Sequence, residues 1–206
     1  VSISASGYST TLDFSAVTLT GITAIRGQAA VDILIGSAGN DTLSGGGADD
    51  DLRGGSGDDT FQFSGLATAG GYDRIDGGTG IDTIQATAAN TVIGLLSLAG
   101  VEAITSGGFA GVSISASGYS TTLDFSAVTL TGITAIRGQA AIDDLIGSAA
   151  NDTIYGGAAN DTLTGGAGDD TLFGDADNDT FIYSGGSNGF DAVTGGAGTD
   201  TIRAAA

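Results

Sequence analysis

The sequence predicts an all-β protein, a parallel β-solenoid duplicated in tandem. Three observations carry that prediction. A long segment occurs twice without change. A nine-residue period holds glycine, aspartate and an apolar residue in fixed phase. Between the periodic runs, apolar residues alternate with serine and threonine as strands do, and no helical stretch of useful length occurs, Ile93–Leu98 being the one short exception.

The opening segment, residues 1–26, reads VSISASGYSTTLDFSAVTLTGITAIR. Its β-branched residues fall on one face of short strands, which suits a half-buried sheet. It is too short for a seven-stranded sandwich, so it is expected to form solenoid rungs without metal. The whole of Val1–Ala30 recurs unchanged as Val112–Ala141.

Residues 27–89 follow the frame G-x-x-G-x-D-x-U-x, with U apolar, and 138–206 repeat it. Thirteen nonapeptides fit. Their sixth residues are Asp32, Asp41, Asp50, Asp59, Asp73 and Asp82, then Asp143, Asp152, Asp161, Asp170, Asp179, Asp191 and Asp200. Their eighth residues, Leu34 through Ile84 and Leu145 through Ile202, are all apolar, and their first residue is Gly except at Thr68. Two nonapeptides make one coil of a solenoid. The apolar residue then points into a narrow core, and the glycines form turns where a Cβ has no room. Coils stack at about 4.8 Å, so residues eighteen apart lie above one another. That places Asp32 under Asp50, Asp41 under Asp59, Asp143 under Asp161, Asp152 under Asp170 and Asp161 under Asp179. Asp161 is expected to be the only one with a partner on both sides, and Asp191 to have none.

Those stacks set the chemistry. Two carboxylates about 5 Å apart repel by roughly 3 kcal/mol at an effective dielectric near 20. A few such pairs offset a typical folding free energy, and the chain holds only five Arg and no Lys. A hard cation is the natural counter-charge. Ca²⁺ accepts six to eight oxygen ligands in loose geometry, whereas Mg²⁺ demands a stricter octahedron. The thirteen in-phase aspartates are therefore the candidate metal ligands, several Ca²⁺ ions the expected cofactor, and turn carbonyls the supplementary ligands. The off-phase Asp49, Asp51, Asp58, Asp76, Asp144, Asp169, Asp175 and Asp177 are expected to be solvated for the most part. Some nonapeptides depart from the frame: Ala replaces the fourth residue at Ala30, Ala48, Ala141, Ala150 and Ala159, and Asp does so at Asp177. The turns around Asp32 and Asp143 fit worst, and weak or empty sites are expected there.

The runs GGSGDDTFQ (Gly54–Gln62) and GGAGDDTLF (Gly165–Phe173) resemble the G-G-x-G-x-D-x-U-x nonapeptide of RTX proteins. The resemblance covers roughly residues 27–84 and 138–203. It implies a parallel β-roll with calcium in its turns, export as an unfolded chain by type I secretion, and folding outside the cell.

Residues 90–111 join the copies. This connector is apolar at Val92, Ile93, Leu95, Leu96, Leu98, Val101 and Ile104, and is expected to add rungs rather than a loose linker. The organisation read from the sequence is a first module of 1–89 (1–26 metal-free, 27–89 calcium roll), connector rungs at 90–111, and a second module of 112–206 (112–137 metal-free, 138–206 calcium roll). The frame slips between Phe63 and Tyr72 and between Tyr183 and Phe190, which predicts a loop bulging from one coil at each place. Arg74 and Arg203 are expected to pair with stray carboxylates there.

Composition removes other classes. With no His and no Cys there is no Ser-His-Asp triad, no thiol nucleophile, no disulfide and no zinc site of the usual kind. A net charge of -19 argues against nucleic acid and anionic membranes as partners. No apolar run is long enough to span a bilayer, and no signal-peptide pattern is read at the start. The chain is expected not to be an enzyme. The leading expectation is a calcium-stiffened segment of a large secreted bacterial surface protein, such as an adhesin, surface layer or extracellular filament. It would associate end to end or with further tandem copies. The alternative is a calcium-binding accessory region of a secreted enzyme or toxin.

Overall fold

The computed structural model describes residues 1–65, 71–183 and 189–205. Every regular element among them is a strand, and the chain divides into two units, Val1–Val112 and Ser113–Ala206. The predicted fold class is observed: strands pair in parallel with partners one coil away.

The first unit contains β1 (Ser2–Ser4), β2 (Thr11–Asp13), β3 (Ala24–Arg26), β4 (Ile33–Ile35), β5 (Thr42–Ser44), β6 (Asp51–Ser56), β7 (Thr60–Phe63), β8 (Asp73–Thr79), β9 (Thr83–Ala86), β10 (Val92–Ala99) and β11 (Ala103–Thr105). Odd-numbered strands form one sheet and even-numbered strands the other, each in sequence order. Every coil thus lays one strand on each sheet. The register aligns the apolar residues into columns: Ile3, Ile25, Leu43, Phe61, Ile84 and Ile104 on one sheet, and Leu12, Leu34, Leu52 and Ile75 on the other. Ile93–Leu98, the one stretch with helical potential, lies within strand β10.

The second unit contains β12 (Ser113–Ala116), β13 (Thr122–Asp124), β14 (Thr129–Thr131), β15 (Ile136–Gln139), β16 (Asp144–Ile146), β17 (Thr153–Gly157), β18 (Thr162–Thr164), β19 (Thr171–Ala176), β20 (Thr180–Tyr183), β21 (Ala192–Ala197) and β22 (Thr201–Ala204). Here β12, β15, β17, β19 and β21 make one ladder, and β13, β16, β18, β20 and β22 the other.

Local chemistry explains the short strands. Positions 7 to 9 of the nonapeptide are extended, as in Thr42-Leu43-Ser44, with the central apolar side chain inward and its neighbours outward. Leu34, Leu43, Leu52, Phe61, Ile84, Leu145, Ile154, Leu163 and Phe181 are all fully buried. Each contributes about 1.5–3 kcal/mol. The last eighth-position residue departs from this: Ile202, on β22, is 61% exposed, because β22 is an edge strand.

The opening segment of each copy forms rungs of the same solenoid. Ser2 pairs with Ala24, and Thr122 with Asp144. The frame slips do not break the ladders. Thr60 pairs with Thr83 and Thr171 with Ala192, so the next coil lands in register. The residues at the centre of each predicted bulge, 66–70 and 184–188, lie outside the described residues.

Candidate metal centre

Each nonapeptide turn carries its sixth-position aspartate to the inner side of the coil. Asp32, Asp41, Asp50, Asp59, Asp73, Asp82, Asp143, Asp161, Asp170 and Asp179 are buried; Asp152, Asp191 and Asp200 are half-buried. Neighbouring turns are tied by these side chains. Along each column the amide of one aspartate donates to Oδ1 of the next, one coil later. Asp32 N bonds Asp50 and Asp50 N bonds Asp73, at 2.7 and 2.9 Å. Asp41 N bonds Asp59 and Asp59 N bonds Asp82, both at 2.8 Å. In the second unit Asp143, Asp161, Asp179 and Asp200 form one column at 2.8–3.0 Å. Asp152, Asp170 and Asp191 form another.

The columns correct two expectations. Asp161 is not alone in having partners on both sides, since Asp50, Asp59, Asp170 and Asp179 have them too. Asp191 is not isolated, because the slip before it restores the stack and it receives the Asp170 amide. The physical reason is the register: pairing resumes beyond each slip, so spatial neighbours there are 21 or 23 residues apart.

Amide bonding leaves the second carboxylate oxygen. Oδ2 of Asp50, Asp59, Asp82, Asp143, Asp161, Asp170 and Asp179 is buried and has no hydrogen-bond partner. A buried acceptor without a donor costs about 1–3 kcal/mol, more when charged. Burial accordingly pushes the carboxyls of Asp50, Asp59 and Asp161 up to about 7, that of Asp73 to about 8, and those of Asp143 and Asp170 to about 6. Hydrogen bonds from backbone amides oppose burial without cancelling it.

A backbone carbonyl of the next coil lies at the same place. A Cβ built on Gly156 would sit 2.6 Å from Asp161 Oδ2 and 2.9 Å from the carbonyl oxygen of Gly174, one coil later. Only glycine leaves that space open. Among the described residues no three acidic side chains converge on one point, so an ion here must draw on carbonyls beside its carboxylates. An all-oxygen donor set of few carboxylates and several carbonyls suits Ca²⁺. The residues fit the ion: the unpartnered Oδ2 atoms and the turn carbonyls would hold it.

Three turns differ. Oδ2 of Asp32, Asp41 and Asp152 accepts the amide of Gln28, Ser37 and Ser148 respectively, at 3.1, 2.6 and 2.7 Å. Of the two poorly fitting turns, the Asp32 carboxylate is thus satisfied within its turn while that of Asp143 is left open.

Sequence reasoning missed a second ladder. Side chains at position 5 point outward, and their Oδ1 accepts the amide of position 5 one coil later. Asn40 bonds Asp58, Asp58 bonds Ile81, Asn151 bonds Asp169, and Asn160 bonds Asn178, at 2.9–3.0 Å. Asp49, Asp58 and Asp169, expected to be merely solvated, are members of it. The signal was present: Asn or Asp fills position 5 in seven nonapeptides. Glu102 was also missed. The single glutamate ends one aspartate column by accepting the Asp82 amide at 2.7 Å. Among the described residues the ion pair is Arg53–Asp51, at an exposed site, and neither Arg74 nor Arg203 forms one. Arg137 instead lies over the Tyr155 ring, which stacks on Phe173.

The family model described as RTX calcium-binding nonapeptide repeat (4 copies) matches residues 26–61, 68–90, 137–172, 146–181, 155–188 and 186–206. No curated protein matches the chain at a significant level.

Proposed function

The chain belongs to the RTX calcium-binding nonapeptide repeat family, and from that membership we propose that it is a calcium-dependent structural segment of a large secreted bacterial surface protein. An adhesin, a surface layer and an extracellular filament all fit this description. The observation that carries the calcium dependence is the row of buried carboxylate oxygens without donors. Without a cation each costs folding energy; with one, each becomes a ligand. Binding energy is then folding energy, which suits a chain exported unfolded into a calcium-rich exterior.

The structural role is supported by the unchanged thirty-residue duplication and by the chemistry of the chain. Its acidic groups form ladders rather than a pair in a cleft, and it lacks His, Cys and Lys. We read it as carrying no catalytic centre. Its partners are then further copies of itself, with no nucleic acid and no membrane insertion.

The test is circular dichroism of the full chain in chelator and in millimolar Ca²⁺. Strand signal that rises on adding calcium is expected. Equal strand content under both conditions would refute the calcium dependence.

A further inference from the structure

Two six-residue turns of the second unit differ at one position. Gly147–Asp152 reads GSAAND, and Gly156–Asp161 reads GGAAND. Ser148 closes the first turn on itself. Its amide and its Oγ both donate to Asp152 Oδ2, at 2.7 and 2.8 Å, and the Oγ accepts the Ala150 amide at 3.1 Å. In the second turn Gly157 and Ala159 have φ of 111° and 80°, and Asp161 Oδ2 is left buried without a donor. A left-handed residue at position 2 turns its amide away from the carboxylate; serine, at negative φ, turns it in.

The first unit repeats the pattern. Ser37 donates its amide and Oγ to Asp41 Oδ2 at 2.6 and 2.9 Å, and its Oγ accepts the Gly39 amide at 3.2 Å. The turn one coil later, with Gly55 and Gly57 at φ 107°, leaves Asp59 Oδ2 open. All seven open carboxylates among the described residues follow a position-2 residue of positive φ, and the hydrogen-bonded Asp32, Asp41 and Asp152 do not. In the serine turns, two donors present their positive ends where a cation would otherwise meet the carboxylate.

We propose that glycine or serine at the second position of a nonapeptide selects its partner: glycine opens the turn to Ca²⁺, whereas Ser37 and Ser148 close theirs, so that Asp41 and Asp152 bind no ion. The proposal rests on the calcium-binding reading above. It makes each serine turn a built-in, metal-free turn within the first coil of its calcium run.

Native mass spectrometry of the full chain at saturating Ca²⁺ tests it. Ser37→Gly creates the full GGAGND turn, and Ser148→Gly makes its turn identical to Gly156–Asp161. Each is expected to add one bound ion, and the double variant two. An unchanged ion count in the folded variants overturns the proposal. A second pair does not depend on those folds: Asp152→Asn is expected to keep the parent's ion count, and Asp161→Asn to lower it. Equal losses in that pair also overturn the proposal. A parent that binds no Ca²⁺ overturns the calcium reading itself, whereas a calcium-binding parent with unresponsive serine variants overturns only the selection by position 2.

Discussion

A single aspartate in this chain does two jobs with its two oxygens. Oδ1 accepts the amide of the preceding coil, and Oδ2 faces the gap between turns. The pH response follows. Carboxyls at Asp50, Asp59 and Asp161 rise from 3.8 to about 7 on folding. Between those values the folded chain binds more protons than the unfolded one, so stability in chelator falls as pH rises through that window. The urea midpoint in chelator is expected to be higher at pH 5 than at pH 8. Calcium reverses the order, because protons compete with the ion for Oδ2. Calcium binding near pH 7 is likewise expected to release protons, readable by titration calorimetry in two buffers of different ionisation enthalpy. For single sites, Asp161→Ala removes an acceptor from the buried Asp143 amide, at a cost of about 1–3 kcal/mol. Asp200, at the half-buried end of its column, is expected to matter less. Calcium affinities of the two variants, measured side by side, check the ranking.

At the scale of the strand and its turn, the nonapeptide separates labour. Three residues form the strand and six form the turn. Leu163 on β18 pairs with Leu145 and Phe181 in one apolar column and is fully buried. Leu163→Ala is expected to cost about 2–5 kcal/mol in urea unfolding at constant calcium. Gly156→Ala places a methyl against Asp161 Oδ2 and the Gly174 carbonyl. It is expected to remove the calcium response of that turn. Gly118→Ala is the control: a Cβ there meets nothing within 4 Å, and its effect is expected within about 0.5 kcal/mol.

For the molecule as a whole, the repeated unit is the coil, and its sheets grow by adding one. Each unit carries two aspartate columns of its own. Charge opposes association of so acidic a chain, and each bound Ca²⁺ cancels two of the negative charges. Light scattering is expected to report monomers in chelator and concentration-dependent oligomers or filaments in calcium. A chain that stays monomeric at high protein and calcium concentration would count against the structural reading and favour an accessory region of a secreted enzyme or toxin.

Coil, core and candidate ligands were legible in the sequence because a solenoid converts sequence period directly into spatial repeat. One glycine, one aspartate and one apolar residue in phase suffice to place a turn, a carboxylate and a buried side chain. Three things were decided by tertiary structure. Strand pairing resumed in register beyond the frame slips, so Asp191 joined a column that spacing alone denied it. The position-5 ladder needed the stacking direction before its Asn and Asp residues acquired partners. The division of carboxylates into open and closed depended on the sign of φ at one turn residue. Even identical residues differ there: GQAA at Gly27–Ala30 turns an amide onto Asp32, whereas GQAA at Gly138–Ala141 leaves Asp143 Oδ2 open. A local sequence allows both conformations; where Asp143 is open, Gln139 Nε2 donates to Ser115 Oγ on the preceding coil.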